Sequence, residues 1–257
     1  MWSFFLLFGI GILLYRYIIL ENTSSSIRTL WIIDTSLSMA VEDIPSSENT
    51  QMVSRLALAK KLMQEGIDII PGEHALISYA REASVETPFS SDTDHIKNII
   101  SNLTPMEFYG GSDLMSALSL ASTLYVRSDT PVHIILLSDG GVEGWSAPII
   151  LPNIFSLSFI WLGTIRGGKI PLGYDSDGNT RYKYFAGKEV VIGYDASSLK
   201  NMSNQYNAVL IERENFAPFP KEIIPTPITD MRKLIFLALG TFCIIFWYFL
   251  HPYARKK

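Results

Sequence analysis

Short runs of consecutive apolar residues alternate with amphipathic stretches through the middle of the chain. Five runs have the length of strands and little polar alternation, as strands buried on both faces have. They are residues 29–34, 74–80, 132–139, 157–163 and 208–213. A sixth run, at residues 83–90, alternates apolar and polar positions and contains a proline, which is typical of an edge strand paired with the run at 74–80.

Three stretches between these runs have apolar residues at helical spacing, and several begin with a Ser or Asp suited to capping a helix: residues 52–70, 91–103 and 112–127. Strands that alternate with helices of this length predict an α/β fold. We expect a Rossmann-like, doubly wound, mostly parallel open sheet with one antiparallel edge strand.

Residues 167–192, rich in glycine and tyrosine, predict a hairpin insertion. Its "DSDGN" indicates an Asp-Gly turn, because Ala186 stands where a calcium loop needs a bidentate Glu.

The two ends of the chain are more apolar than its middle. Residues 2–20 carry only Arg16 as a charge, and residues 234–250 carry none. A helix over the second segment would be about 26 Å long, close to the ~30 Å thickness of the bilayer core. The first segment predicts an uncleaved signal anchor; a cleaved signal peptide is the alternative, but no basic residue precedes the apolar run. For the second, a buried core helix is the alternative, but the segment is apolar on every face.

Basic residues at the end of the chain indicate the orientation in the membrane. Arg255, Lys256 and Lys257 follow the second apolar segment, and cationic flanks tend to stay cytoplasmic. Both termini would then be cytoplasmic, with the folded domain outside. We expect a signal anchor at 1–20, a folded domain at 27–215, a linker at 216–233, a transmembrane helix at 234–250 and a basic cytoplasmic tail at 251–257.

Charge and cysteine content narrow the functional classes. The chain has 25 acidic and 21 basic residues, for a net charge of −4, and all of the acidic residues lie between Glu21 and Asp230. The folded domain is therefore strongly acidic, which argues against nucleic acid as its partner. The one cysteine, Cys243, lies in the second apolar segment, so an internal disulfide is impossible. The histidines lack zinc-ligand spacing and are expected to be structural.

Polar side chains follow the predicted strands at three places. Asp34, Ser36 and Ser38 alternate after the first strand and can point the same way, while Ser112 opens a helix and Asp139 ends a buried strand. Ligands of open α/β sheets bind beyond the carboxyl ends of the strands, so these side chains are expected to converge. Three hydroxyls and two carboxylates suit Mg²⁺ or Mn²⁺. With so few charged ligands, an acidic side chain of a partner protein could complete the coordination.

The sequence "DTSLS" resembles the D-x-S-x-S motif of von Willebrand factor A (VWA) domains. Their metal-ion-dependent adhesion site (MIDAS) adds a Thr from a second loop and an Asp from a third. Asp34, Ser36 and Ser38 match the first loop, Ser112 stands at the position of the Thr, and Asp139 matches the third loop. Further stretches, "MAVEDIP", "TPFSSD", "GGSDL", "LLSDG" and "GGKIPLGYDSDGN", are similar to the membrane-bound BatA/BatB (aerotolerance) proteins.

The resemblance implies a protein of the bacterial inner membrane, and the orientation expected from the basic tail would place its VWA domain in the periplasm. It implies a non-enzymatic interaction domain, linked with other Bat-type membrane proteins and with a MoxR-type AAA+ ATPase in envelope stress or assembly. It also implies that the hydroxyls bind the cation directly, while one or both aspartates act through water.

Two other functions remain open. "DTSLS" also resembles the nucleophile loop of haloacid dehalogenase-type phosphatases, which would make the chain a membrane-tethered, Mg²⁺-dependent phosphohydrolase. Ser36, however, takes the place of the Asp that serves as acid and base there. Alternatively, the VWA scaffold has a vestigial metal site and assembles through apolar or transmembrane contacts. A P-loop is not expected at residues 163–170, because Ile170 replaces the Ser or Thr that would hold Mg²⁺.

Overall fold

The computed structural model describes residues 28–46, 51–106, 111–125, 130–140, 151, 155–193 and 196–224. All of them lie in one compact unit of the chain, Ile27–Pro225. The signal anchor predicted at 1–20, the transmembrane helix predicted at 234–250 and the basic tail lie outside the described residues. In the described part of the chain, no helix is long and apolar enough to cross a membrane.

A six-stranded sheet forms the centre of the domain. Neighbouring strands are parallel except the last pair, which is antiparallel. The three central strands consist almost entirely of consecutive buried residues, because helices cover both faces. This confirms the predicted α/β fold with a mostly parallel sheet and an antiparallel edge strand. The spatial order is β14 (Val209–Arg213), β7 (Phe155–Leu162), β6 (Val132–Ser138), β1 (Arg28–Asp34), β4 (Glu73–Tyr79) and β5 (Ala83–Ser90).

Two hydrophobic cores lie on the two faces of the sheet, as the alternation of side chains along β1 requires. Trp31 and Ile33 pack on one face, and Leu30 and Ile32 on the other. The first core is covered by α1 (Arg55–Ile69) and α2 (Thr93–Asn102), and the second by α3 (Leu114–Tyr125) and α4 (Ala196–Tyr206). The side chains of Ser54 and Asp92 cap α1 and α2 by accepting hydrogen bonds from the first turn.

The start of α1 differs from the helix predicted at 52–70. Met52–Ser54 form strand β3, which pairs antiparallel with β2 (Glu42–Pro45) after a short 3-10 helix at Leu37–Ala40. The apolar residues at 52–54 continue the helical spacing of the residues that follow, so the sequence pattern predicts a helix there. The strand forms because these residues pair with β2, which local spacing does not show. The helix begins only after Ser54, which caps it. Helix α4 was not predicted, and β7 begins two residues earlier than the run at 157–163.

Residues 216–224, expected to begin a linker, instead pack against the domain. Phe219 and Ile223 are buried in the core under α1, and the rings of Phe219 and Trp31 meet edge to face at 5.9 Å. Gly66 in α1 leaves room for them, since a Cβ there would lie 2.3 Å from Cη2 of Trp31. The linker prediction is wrong for this part because the proline-rich segment carries apolar side chains that the core can bury.

The hairpin arm, residues 164–193, leaves the sheet at the carboxyl end of β7. At its base, β8 (Gly168–Lys169) pairs antiparallel with β13 (Val191–Ile192). Asp175 accepts hydrogen bonds from two backbone amides of the "DSDGN" segment, as expected for the predicted turn. Two smaller strand pairs complete the arm: β9 (Pro171–Tyr174) with β10 (Thr180–Tyr182), and β11 (Tyr184–Phe185) with β12 (Lys188–Glu189).

Candidate metal centre

The five residues predicted to form a metal site all lie at the carboxyl edge of the sheet. Asp34 ends β1, Ser36 and Ser38 follow it, Ser112 precedes α3, and Asp139 follows β6, the neighbour of β1. Each of them is buried, with no more than 9% of its surface exposed. The parallel arrangement of β1 and β6 explains why segments that are distant in sequence meet here.

Hydrogen bonds join four of the five residues around the carboxylate of Asp34. Its Oδ1 accepts from the backbone N–H of Ser36 at 2.8 Å, and its Oδ2 accepts from the hydroxyl of Ser112 at 3.1 Å. The hydroxyls of Ser36 and Ser38 are 3.0 Å apart. Oδ2 of Asp34 also accepts from the hydroxyl of Ser138 at 2.8 Å. The cluster is therefore built from three separate segments of the chain.

Asp139, which follows β6 at the same edge of the sheet, is bonded to the first residue of α1. Its Oδ2 accepts a hydrogen bond of 2.8 Å from Nη1 of Arg55, the first residue of α1. Arg55 is fully buried, and its Nε and Nη2 donate to the two carboxylate oxygens of Asp43 at 2.9 and 2.6 Å. A guanidinium group suits this arrangement because its planar fork can bind a carboxylate with two parallel hydrogen bonds.

The electrostatics of the cluster are unbalanced. Burial, and next the charge of Asp139, raise the pKa of Asp34 to about 6, although hydrogen bonds from Ser36 and Ser138 oppose the shift. Asp34, Asp43 and Asp139 carry three negative charges when ionised, and Arg55 carries one positive charge, so the group has a net charge of −2. A divalent cation would cancel this charge. The oxygen donors of the cluster suit Mg²⁺ or Mn²⁺.

A further hydroxyl, that of Tyr79 at the end of β4, lies beside the cluster. Among the described residues it has no hydrogen-bond partner, although it is buried. Burial and the negative charge of Asp34 raise the pKa of Tyr79, while the nearby hydroxyls of Ser138 and Ser112 oppose the shift. Because a buried hydroxyl without a partner is costly, this group fits a site that binds a hydrated ligand.

Any cation bound here would depend on hydroxyl oxygens. In the part of the chain that the structure describes, no group of three or more His, Cys, Asp or Glu side chains could hold a metal ion. The predicted donors are two carboxylates and three serine hydroxyls. A group made only of His, Cys, Asp and Glu does not include the hydroxyls. The chemistry of the donors therefore fits a hard divalent cation and does not fit zinc.

Sequence reasoning missed three residues of this cluster: Ser138, Tyr79 and Arg55. Ser138 directly precedes Asp139 at the end of a strand. This position could have indicated that its hydroxyl lies at the same edge of the sheet. The helical pattern around Arg55 gave no sign that this charged residue is fully buried. Its role depends on the fold, which places α1 beside the end of β6.

The strand order defines a doubly wound α/β domain, and a buried cluster of Asp and Ser side chains lies at the carboxyl edge of its sheet. The family model of the von Willebrand factor type A domain matches residues 29–142, which include all five predicted site residues. Residues 29–142 therefore match the VWA domain family, as the motif predicted. No match to this sequence was found among curated proteins.

Solved structures with a similar fold include two bacterial proteins. BatB from Bacteroides thetaiotaomicron, a conserved hypothetical protein, is 19% identical with a TM-score of 0.60, and the match covers 74% of this chain and 91% of BatB. An aerotolerance-related membrane protein from Bacteroides fragilis, with multiple mutations to serine, has the same identity and TM-score, and the match covers 74% of this chain and 92% of that protein. At this identity the likeness concerns the fold.

Proposed function

We propose that this chain is a membrane-anchored VWA-domain protein that binds partner proteins through a divalent cation. Asp34, Ser36, Ser38, Ser112 and Asp139 would hold Mg²⁺ or Mn²⁺ as a MIDAS. The observation that carries the proposal is the buried cluster of carboxylates and hydroxyls with a net charge of −2. A bound cation would supply a positive centre for an acidic side chain of the partner.

The residues of the cluster have distinct roles in this function. Asp34 fixes the first loop by accepting from the backbone N–H of Ser36, and it holds the second loop by accepting from Ser112. Ser36 and Ser38 present adjacent hydroxyls that bring no negative charge to the site. Arg55 holds Asp139 and neutralises part of its charge. A Glu or Asp of the partner could therefore still bind favourably.

We propose the same cellular setting as that implied by the BatA/BatB resemblance. The apolar segments 1–20 and 234–250 would anchor the chain in the bacterial inner membrane, with the VWA domain in the periplasm. Other Bat-type membrane proteins and a MoxR-type ATPase are the proposed partners. The support is the motif pattern, together with the shared fold of BatB and of a protein described as an aerotolerance-related membrane protein.

A second candidate is a VWA scaffold with a vestigial metal site. One observation favours it: Asp34 and Asp139 already have hydrogen-bond donors within the protein, so the cluster can persist without a cation. In that case apolar or transmembrane contacts would drive assembly. A phosphohydrolase has less support, since the residue two positions after Asp34 is a serine. Turnover of a generic phosphate ester that is lost in an Asp34→Asn variant would favour the enzyme.

Partner capture tests the proposed function. The full-length chain is immobilised and exposed to solubilised bacterial membranes with Mg²⁺ or with EDTA. We expect a set of proteins bound only in Mg²⁺, lost with Ser36→Ala and retained with Ser122→Ala, a control in α3. Equal capture in Mg²⁺ and EDTA, or by the Ser36→Ala variant, would contradict the proposal.

A further inference from the structure

Arg55 connects the candidate metal centre to the hairpin arm. Besides its bonds to Asp139 and Asp43, its Nη2 donates to the backbone carbonyl oxygen of Ile192 in β13 at 2.7 Å. At the other end of the arm, the backbone N–H and the hydroxyl of Thr164 donate to Oδ2 of Asp43 at 3.0 and 3.1 Å. One buried ion pair therefore holds both ends of the arm and one of the predicted cation ligands.

The packing around this ion pair leaves little room for independent movement. Gly163 lies against the guanidinium, since a Cβ at this residue would be 2.9 Å from Nε of Arg55. Gly168 in β8 lies close to β2, and a Cβ there would be 2.5 Å from Cγ1 of Val41. Because the guanidinium group is planar and fully buried, a shift of Asp139 has to move its neighbours as well.

We propose that Arg55 is a positioning residue of the cation site and couples cation binding at Asp139 to the order of the hairpin arm. This inference rests on the proposed function, because it takes Asp139 as a ligand. Without a cation, the hydrogen-bonded ion pair with Arg55 restrains Oδ2 of Asp139 from one side. A cation fixes it from a second side, and this fixes the guanidinium and the arm base bonded to it.

The coupling gives the exposed arm a part in partner binding. The arm presents large apolar side chains to solvent, with Phe185 78% and Tyr174 76% exposed. Tyr184 and Val191 of the arm are also more than half exposed. Linkage is reciprocal, so a partner that orders the arm would also raise the affinity of the site for its cation.

Hydrogen exchange of the full 257-residue chain with and without Mg²⁺ tests the coupling. In the wild type, we expect the amides of residues 164–169 and 190–193 to exchange at least about fivefold more slowly in Mg²⁺ than without it. A factor of about five is the low end of the coupling usually measured between two sites. Helix α2 serves as an internal reference with unchanged exchange. Titration calorimetry sets the Mg²⁺ concentration that saturates each protein, and at that concentration arm exchange in Arg55→Met should no longer respond. Arg55→Lys retains the charge without the fork and should also lose the response.

The outcomes separate the coupling from the proposed function. No heat with Mg²⁺ in the wild type would reject the cation site itself. Mg²⁺ binding with unchanged arm exchange in the wild type would reject the coupling alone, as would an Arg55→Met variant whose arm responds like the wild type. If Arg55→Met does not fold, Thr164→Val removes only the hydroxyl bond to Asp43 and should reduce the response of the arm; an undiminished response would then reject the coupling.

Discussion

Ser138 donates a hydrogen bond of 2.8 Å to Oδ2 of Asp34, although 104 positions separate the two residues in sequence. The bond forms because β6 and β1 are parallel neighbours that end at the same edge of the sheet. It stabilises the carboxylate but cannot neutralise it. Since burial and the charge of Asp139 raise the pKa of Asp34 to about 6, a charged Asp34 opposes folding when no cation is bound.

Asp34→Asn should therefore stabilise the cation-free protein at neutral pH. The penalty of the native carboxylate is the pKa difference from 3.8 to about 6, which corresponds to at most about 3 kcal/mol. Because the folded pKa is the higher one, the penalty is complete above pH 6 and disappears as the pH falls toward 3.8. Urea unfolding in EDTA should show the advantage of the variant at pH 7.5 and a smaller one at pH 5. A destabilised variant at pH 7.5 would contradict this prediction.

Arg55→Met should destabilise the fold by about 3–5 kcal/mol, because it leaves buried carboxylates without their counter-ion. Asp43→Asn should cost less, since Arg55 keeps its bond to Asp139. Urea unfolding of both single variants and of the double variant measures the effect. The double variant should lose less than the sum of the two single losses, because both substitutions break the same ion pair. Additive losses would argue against a shared network.

The sequence predicted the parts of the fold and site that depend on local pattern. The buried runs became β1, β4, β6 and β7, and the D-x-S-x-S spacing located Asp34, Ser36 and Ser38 at a strand end. Local pattern could not reveal contacts between distant segments. The pairing of β3 with β2 replaced the predicted first turn of a helix. The burial of Arg55 and of Phe219 also depends on partners far away in sequence.

His133 should make stability fall in mild acid. Its ring nitrogens contact the hydroxyls of Ser156 and Ser158, and burial lowers its pKa from 6.5 to about 4. Because the folded pKa is the lower one, the unfolded chain binds the proton first, so stability is complete above pH 6.5 and is lost as the pH falls toward 4. The loss should approach about 3 kcal/mol.

A His133→Gln variant isolates this effect, because the contribution of Asp34 has the opposite sign over part of the same pH range and is common to both proteins. Urea unfolding between pH 4 and pH 8 should give a shallower dependence for the variant than for the wild type. Parallel curves for the two proteins would show that His133 does not titrate as its burial requires.

Gly66→Ala should destabilise the protein even though alanine favours helices by about 1 kcal/mol over glycine. The added Cβ would lie 2.3 Å from Cη2 of Trp31 and 2.9 Å from Cε2 of Phe219. Both rings are buried, so we expect a net loss of about 1–3 kcal/mol from overpacking. Thermal unfolding measures it. A Phe219→Ala background should reduce the clash. A stabilised single variant would contradict the packing of Trp31 and Phe219 against Gly66.

Titration calorimetry of the full-length chain with Mg²⁺ and with Mn²⁺ tests the cation site most directly. A site formed by Asp34, Ser36, Ser38, Ser112 and Asp139 predicts saturable binding of one ion, lost in Asp34→Ala and Ser36→Ala and retained in Ser122→Ala. No saturable heat in the wild type, or unchanged binding in Ser36→Ala, would contradict the existence of this site.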